Sequence, residues 1–561
     1  MTENLLSLIV LVSPLAFIAT AIASWFQPGK FPHLVKKLSM ASASLTLLIA
    51  TYSGFLVYKY GLLQSGLLGF EKIGLAIRID PLSILMFGMI ALLGYVVLKF
   101  SLNYLDGDPR QGAFIGRLTA TIASVQLLVL SANLGLLFIA WVLTSLSLHR
   151  LLIFYPDRPR AIVAARKKFI MARLGDLSLL GAFILLYSHF HTGDLESIFQ
   201  AIKDPSISVS NLSGLEVAAV LLALAAILKS AQFPTHGWLV EVMETPTPVS
   251  ALLHAGLLNA GPFLISRMAF VMSETTYAPV VLIICGGFTG LFASVTFLTQ
   301  PSVKTALGYS SVAHMGFMLM VCGLGVYPAA MLHLVAHSFY KAHSFLSSGS
   351  VIDVVRASKV ALPKRRGSLV RIVGGTFLAL TIYLGSSMLW GIDPTEELAL
   401  LATGAIIVMG LSQMIIPALD SGVYVSSILR TCVLAIGVAV AFFSLEEGTH
   451  HLLHSQLPGL SQPGVATTLL IGIVVLIYGG VVFSQRVLLA LINSGLNRES
   501  AYKIVQRNAH SAWNNEGGDF KANLESDKEV SERLTPNQLA NCFDTEIHQS
   551  NLYVIWDRLG V

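Results

Sequence analysis

Basic side chains lie inside apolar segments of this sequence. Lys229 directly follows the apolar run 221–228, and His333, His337 and Lys341 recur at intervals of four residues in a later run. Four residues turn a helix by about 400°, so these last three side chains form one stripe on a helix. An imidazole takes up and releases protons near neutral pH, and a desolvated lysine can do the same. The spacing therefore predicts a row of proton carriers.

A charged group in the middle of a bilayer needs an explanation. Insertion scales put its cost at about 2.5–3.5 kcal/mol for a lysine at a helix centre. We therefore assign a proton path to Lys229, His254, His333, His337 and Lys341, where His254 is a further imidazole in an apolar run. A hydrogen-bonded packing role is the alternative for a single buried histidine such as His254.

Two more basic residues border the neighbouring helices, and we count both as supporting residues of the path. His314 has the same packing alternative as His254. Lys304 follows Gln300, Pro301 and Ser302, and its alternative is to extend the amine to the membrane interface.

The composition defines the class of protein that carries these residues. Hydrophobic residues make up 54% of the 561 residues, charged residues only 12%, and the mean hydropathy is +0.72. Soluble domains are about one quarter charged, which excludes a water-soluble enzyme of several domains. The net charge of +5 comes mostly from short loops, so we expect no nucleic-acid partner. None of the four cysteines is in a CxxC pair, so we predict no metal site and no cofactor.

The apolar windows between residues 5 and 484 predict an all-α, polytopic membrane bundle of about 13–15 transmembrane helices. The run 5–25 is expected to be a retained first helix, because no basic residue precedes it. The most basic loop, 150–173, is expected to face the cytoplasm, with 30–37 on the same side and 59–80 outside.

The sequence also predicts two broken helices and the end of the transmembrane domain. Proline and glycine break the pattern at 232–237 and again near 391–394, and helices broken inside a membrane must line protein or water. Residues 498–561 contain 7 basic and 10 acidic residues, whereas 1–497 contain 29 and 21. We predict a transmembrane domain over 1–497 and a polar tail over 498–561.

Three long motifs resemble the proton-conducting membrane subunits of respiratory complex I, the NuoL type, and of Mrp antiporters. They are KSAQFPTHGWLVEVMETPTPVSALLH from Lys229, KTALGYSSVAHMGF from Lys304 and HLVAHSFYKAHSFLSSGS from His333. The resemblance covers about residues 80–355. It implies two inverted five-helix repeats with broken helices and a hydrated axis of lysines and histidines along the membrane midplane.

The resemblance also implies a role for each matching residue. Lys229 is the central lysine of the first half-channel, and His254 is its neighbour. Lys341, with His333 and His337, forms the connection towards the second half. Asp176 and Lys304 fall on further polar positions of the family pattern.

One departure separates this chain from the NuoL type. There, the tryptophan that matches Trp141 precedes a glutamate that pairs with the central lysine, but here Val142 follows Trp141. Without this carboxylate, Lys229 is expected to release its proton more readily or to find another partner, such as Glu241 or Glu244.

A chain of this kind without the glutamate resembles the DabB family, the membrane subunits of a two-component inorganic carbon pump in the bacterial inner membrane. The resemblance implies a peripheral partner, DabA, similar to a zinc β-carbonic anhydrase. Cation flux, H+ or Na+, would drive one-way hydration of CO2 to bicarbonate. Any enzyme chemistry would belong to the partner, and this chain would be a transport subunit among membrane lipids.

Two other functions stay open. The first is a proton-pumping or antiporting subunit of a complex I-like or Mrp assembly, which sister membrane subunits would reveal. The second is a membrane scaffold that conducts nothing, for which substitution of Lys229 or Lys341 would leave full activity.

Overall fold

The computed structural model is a bundle of helices, which confirms the predicted all-α class. It describes residues 6–204, 213–300, 302–349, 369–390, 425–459 and 520–536, with 407–408, 411–412, 415, 419, 504–505, 507–508 and 538–539. Ten helices in these residues are long and apolar enough to cross a membrane. The predicted spans 398–418 and 465–484 lie mostly or wholly outside the described residues, so the full count of 13–15 stays a prediction.

The first part of the chain is a series of helices with short connections. After a 3-10 turn, Ile9–Leu11, these are α1 (Val12–Phe26), α2 (His33–Tyr60), α3 (Pro81–Tyr104), α4 (Gln111–Val129), α5 (Leu134–Leu152), α6 (Pro159–Phe190) and α7 (Leu195–Lys203). Local sequence explains where two of them begin. The Asp80 carboxylate accepts from the Ser83 backbone N–H at 2.7 Å, and the Asn133 side chain accepts from the Gly135 N–H at 2.9 Å. Both are N-caps that satisfy free donors of a first helical turn.

Two small antiparallel ladders connect α2 and α3. The strands are β1 (Leu63–Gln64), β2 (Leu68–Phe70), β3 (Ile73–Leu75) and β4 (Arg78–Ile79), with β1 paired to β4 and β2 to β3. Glu71 and Lys72 form the β2–β3 turn with φ of 45° and 64°. Such positive values suit a two-residue hairpin. Strands this short leave no hydropathy pattern, and the sequence did not indicate them.

The predicted break after Lys229 is present. α8 (Ser213–Lys229) ends there, and α9 (Gly237–Glu241), a 3-10 turn (Val242–Glu244), α10 (Thr247–Ala255), a second 3-10 turn (Leu257–Asn259), α11 (Ala260–Arg267) and α12 (Ala269–Ser273) follow. At the break, the Phe233 N–H donates to the Thr289 hydroxyl at 3.1 Å, and the Ser230 hydroxyl donates to the Leu258 carbonyl at 3.1 Å. Backbone freed from a helix needs such internal partners at membrane depth. The second predicted break, 391–394, lies outside the described residues.

The remaining elements are also helical. They are α13 (Tyr277–Thr299), α14 (Val303–Gly323), α15 (Tyr327–Leu346), α16 (Leu369–Leu389), α17 (Val425–Leu453), α18 (Phe520–Ser526) and α19 (Lys528–Ser531). α13 and α14 approach closely at two glycines. A Cβ on Gly286 would lie 2.5 Å from the Gly316 carbonyl oxygen, and one on Gly316 would lie 2.6 Å from the Gly286 oxygen. Small residues at crossings are typical of helix packing in membranes.

The predicted cytoplasmic loop 150–173 is mostly helix, which corrects the sequence interpretation. α5 continues to Leu152, and α6 begins at Pro159 and has 32 residues. At 1.5 Å per residue, α6 is about 48 Å long, whereas a hydrocarbon core is about 30 Å thick. Its basic first turns can therefore extend beyond the apolar layer, and charge alone does not distinguish such turns from a loop.

The two segments predicted to share one side of the membrane both contact residues 105–110. The Lys36 amine lies 2.9 Å from the Asp106 carboxylate, and the Arg110 guanidinium donates to the Phe154 carbonyl at 2.7 Å. We call this side, defined by residues 27–37, 105–110 and 150–158, the basic end. The ladders of β1–β4 lie at the other end of α2 and α3.

The chain forms two compact units. The first comprises Met1–Ser294, Val303–Ile352 and Thr449–Ser461, and it contains every residue predicted for the proton path. The second comprises Val295–Ser302, Asp353–Gly448 and Gln462–Val561. Its described core consists of Ala379, Ile382, Tyr383, Val408, Leu411, Ile415, Ala435, Ala439 and Phe443. The predicted boundary at residue 497 lies outside the described residues and stays a prediction.

Candidate functional site

Lys229 is the last residue of α8, and its amine is bound by α5. Nζ donates to the Trp141 carbonyl oxygen at 3.1 Å and to the Thr144 hydroxyl at 3.0 Å. It also lies 4.2 Å from the centroid of the Trp141 ring. Trp141 and Thr144 are three residues apart and therefore share one face of α5. These contacts hold the amine through neutral oxygens and an aromatic face instead of through a carboxylate.

Asp176 is the carboxylate that faces Lys229 electrostatically. It lies on α6 with its side chain 9% exposed, and Lys229, Arg173 and Lys168 all act on its charge. Arg173 Nη2 is 2.7 Å from Asp176 Oδ2, but neither atom has hydrogen-bond geometry with a partner among the described residues. We therefore treat the Arg173–Asp176 contact as an ion pair by distance alone. The sequence interpretation placed Asp176 only on a further polar position.

Glu241 and Glu244 have partners other than Lys229. Glu241 accepts from the Lys167 amine at 2.7 and 2.8 Å, and Glu244 lies 3.9 Å from Arg160. Arg158 also donates to the Glu244 carbonyl. Both carboxylates thus pair with basic residues of α6, Glu241 from the end of α9 and Glu244 from the 3-10 turn that follows it. A supporting role for either in the proton path stays a prediction.

Three histidines of α14 and α15 form one cluster. His314 Nδ1 and His333 Nε2 are 3.0 Å apart, a hydrogen bond in which either ring can donate. The His337 ring centroid lies 5.0 Å from that of His314 and 6.3 Å from that of His333. His337 is 4% exposed, and neither of its ring nitrogens has a protein partner among the described residues. Buried polar atoms of this kind require partners such as ordered water.

Lys341 and His254 extend this cluster. Lys341 is fully buried, and its amine donates to the Leu307 carbonyl of α14 at 3.2 Å. His254 is also fully buried and stacks on Phe345, with ring centroids 4.4 Å apart. Lys341 acts electrostatically on both His254 and His337. In the described part of the chain, neither ring nitrogen of His254 has a hydrogen-bond partner.

α10 connects the two groups of residues. It carries His254 at its C-terminal end and packs against both α5, which binds Lys229, and α15, which carries His333, His337 and Lys341. Lys304 is in a different place. It lies in the first turn of α14, partly buried, within electrostatic range of Tyr104 and Arg158 near the basic end. The structure therefore groups His314 with the path residues, whereas Lys304 lies apart from them, near the basic end.

Lys168 is a buried amine that the sequence interpretation missed. It was counted among the basic residues of a loop, but it lies on α6 with 4% of its surface exposed. Its Nζ donates to the Ser145 carbonyl oxygen at 2.8 Å and to the Ser145 hydroxyl at 2.9 Å. Helical periodicity across 159–173 was the signal that could have placed it on an inward face.

A buried ion cluster at the opposite end was also missed. The Asp80 carboxylate lies 2.5 Å from both Arg78 Nε and Arg267 Nη1, and Arg78 Nη1 lies 2.7 Å from Glu196. Burial raises the pKa of Asp80, but Arg267 and Arg78 outweigh it and hold that pKa below its usual value. The signal was Arg267, an arginine within an apolar window.

Three protein-family models match the chain. The model described as NADH:quinone oxidoreductase/Mrp antiporter, TM, matches residues 131–428, more than half of the chain. A model of the N-terminus of NADH-ubiquinone oxidoreductase (complex I), chain 5, matches 68–115. The model described as the adenylosuccinate lyase C-terminus matches 480–559, which includes most of the predicted polar tail.

Individual relatives agree with the first two models. A probable inorganic carbon transporter subunit DabB2 of Halothiobacillus neapolitanus is 37% identical over 454 residues, 80% of either chain. A probable DabB of Hydrogenovibrio crunogenus is 39% identical over 56% of this chain and 60% of its own length. The chloroplastic NAD(P)H-quinone oxidoreductase subunit 5 of Zygnema circumcarinatum is 34% identical over 56% of this chain and 46% of its own.

A solved structure has the same fold. The match is to a chain of the Mrp complex from Dietzia sp. DQ12-45-1b, with a TM-score of 0.61 and 23% identity. It covers 93% of this chain and 61% of that chain. This likeness concerns the fold alone.

Proposed function

The chain belongs to the NADH:quinone oxidoreductase/Mrp antiporter family, and within it to the DabB subunits, and we propose that it conducts protons across the bacterial inner membrane for an inorganic carbon pump. The family makes it a multi-pass membrane subunit for cation transport. The residue chemistry favours H+ over Na+. Amines and imidazoles take up H+ in their own acid–base reactions, whereas a protonated amine has no lone pair for a metal ion.

One observation carries this proposal. His314, His333, His337 and Lys341 lie in one buried cluster, with a hydrogen bond of 3.0 Å between His314 and His333. Among the described residues, the hydrogen bonds and ring contacts of this cluster involve no carboxylate. A proton can pass along such a row because each group can hold it in turn, and a charge on one group disfavours a charge on the next.

In this proposal, the proton flux drives a reaction that takes place in a second protein. We assign the reaction CO2 + H2O → HCO3− + H+ to a peripheral DabA-type subunit that holds zinc, and no chemical step to this chain. Moving one charge through the membrane releases about 2.3 kcal/mol per 100 mV. Coupled to the partner's hydration step, this energy would make bicarbonate formation one-way.

A growth assay tests the proposal. Co-expression of the chain with its partner should restore growth in air to a bacterial host that lacks carbonic anhydrase. Lys341→Ala should abolish this rescue, because it removes the buried amine of the cluster. His343→Ala is the matched control, since His343 is exposed on the same helix and should leave growth unchanged. Rescue by the partner alone, or full rescue with Lys341→Ala, would contradict the proposal.

Co-purification separates the other candidate functions. One large peripheral partner favours the carbon pump, whereas a set of sister membrane subunits favours a complex I-like or Mrp assembly. A scaffold would retain full activity with either Lys229→Ala or Lys341→Ala while still binding its partner.

A further inference from the structure

Two neighbouring lysines on α6 have opposite environments. Lys167 has a side chain 52% exposed and pairs with Glu241, whereas Lys168 is 4% exposed. Successive residues on a helix point about 100° apart, which places one amine at the surface and the other in the bundle. Lys168 donates only to the backbone and hydroxyl oxygens of Ser145 among the described residues. A buried lysine held by neutral oxygens is free to exist in either protonation state.

The amines of Lys168 and Lys229 are bound to consecutive residues of α5. Lys229 donates to the Thr144 hydroxyl, and Lys168 donates to the Ser145 hydroxyl. Other charged or titratable groups near Lys168 are Arg173 and Asp176 on its own helix and His149 on α5. α5 leads towards the basic end, so Lys168 is one step closer to that end than Lys229.

The charge of Lys229 acts on Lys168, and two like charges disfavour each other when water is excluded. On the basis of the proposed function, we propose that Lys168 controls the charge on Lys229 by repulsion, so that the two amines hold protons alternately. Lys168 would thereby act on Lys229 by repulsion, whereas the glutamate of the NuoL type acts on its lysine by attraction. It acts through Lys229, and we regard it as a positioning residue.

The test is a pH profile of proton flux. The full chain and its partner are reconstituted into proteoliposomes, and flux is followed with a pH-sensitive dye from about pH 6 to 9. Lys168→Met removes a positive charge, so Lys229 should keep its proton longer. The acidic limb of the profile should then move to higher pH by about one unit, which is a tenfold loss of flux at a fixed pH on that limb.

Two further variants separate charge from packing. Lys168→Arg keeps a fixed positive charge that cannot be released, and it should lower the maximal flux and move the alkaline limb to lower pH. Ser145→Ala leaves the lysine in place but removes one acceptor, and it should give a smaller shift in the same direction as Lys168→Met. Lys167→Met is the matched control and should reproduce the wild-type profile.

The outcomes distinguish this inference from the proposed function. If Lys229→Ala abolishes flux while the Lys168→Met and Ser145→Ala profiles coincide with the wild type, Lys168 has no such role and the inference fails alone. If Lys229→Ala conducts normally, the proposed function fails as well. A general loss of amplitude in Lys168→Met without displacement of the limb, with an unshifted Ser145→Ala, indicates a structural role and also overturns the inference.

Discussion

Among the described residues, Lys229 has no direct carboxylate partner like the one expected in the NuoL type, but a negative charge acts on it. Asp176 on α6 attracts its charge, Arg173 on the same helix repels it, and the charge of Lys229 in turn acts on Lys168. Asp176 and Lys168 are eight positions apart on α6, which separates them by about 80° around the helix and about 12 Å along its axis. One helix thus presents both an attractive and a repulsive charge to the same amine.

Replacing Asp176 should disturb the path in the opposite sense to replacing Lys168. Asp176→Asn removes a negative charge that acts on Lys229, with little change in shape, so the protonated form of Lys229 should be less favoured. We expect the alkaline limb of the pH–flux profile to move to lower pH. Flux at a fixed pH on that limb should fall by about tenfold, which corresponds to one pH unit.

Asp157→Asn is the control for this change, because Asp157 is exposed near the basic end. It should leave both limbs in place. A wild-type profile for Asp176→Asn would mean that the carboxylate does not serve Lys229, and the partner of this lysine would have to be sought elsewhere.

At the scale of elements, the sequence was most informative where spacing or composition is local. The interval of four between His333, His337 and Lys341 is a helical property, and α15 carries all three. Proline and glycine predicted the break after Lys229, and α8 ends there. The inward position of Lys168 and the acceptors of Lys229 depend on which faces of α5, α6 and α8 pack together. Tertiary packing of this kind leaves no mark in a single sequence.

The ion cluster around Asp80 joins elements that are distant in sequence. Asp80 precedes α3, Arg78 belongs to β4 and Arg267 ends α11. Asp80→Asn would leave two buried guanidinium groups without their shared carboxylate. Removing one partner of a buried ion pair costs about 3–5 kcal/mol. We expect a clearly lower midpoint of thermal unfolding in detergent at neutral pH.

The control for Asp80→Asn is an exposed carboxylate, and the stabilising effect of Asp80 itself should depend on pH. Asp106→Asn breaks an ion pair to Lys36 in which the carboxylate is 68% exposed, and it should hardly move the midpoint. The depressed pKa of Asp80 means that its contribution is present above its ordinary pKa of about 3.9 and is lost as the pH falls further. The difference between wild type and Asp80→Asn should therefore shrink at acidic pH. Equal midpoints at neutral pH would show that the cluster does not stabilise the bundle.

At the scale of the whole molecule, two unrelated family matches share one chain. The antiporter match ends at residue 428, and the lyase C-terminus match begins at 480, before the predicted start of the polar tail. Within the residues that the lyase C-terminus model matches, Arg507 contacts Asp527 and Glu529, and Asn508 contacts Asp527. These contacts join parts of the matched segment to each other. We infer that the predicted polar tail, 498–561, is dispensable for proton conduction.

Truncation tests this division of the chain. A chain that ends at residue 497 keeps the predicted transmembrane domain and every residue of the proposed path, and it should rescue growth and conduct protons within about twofold of the full chain. A chain that ends at Gly448 also loses Gln456, which accepts from Arg78 in the buried ion cluster at 2.5 Å. Removing the partner of a buried charged group is destabilising, so this shorter chain should accumulate poorly and fail to rescue. If the 497-residue chain accumulates normally with its partner but conducts nothing, the tail 498–561 takes part in transport and the inference is wrong.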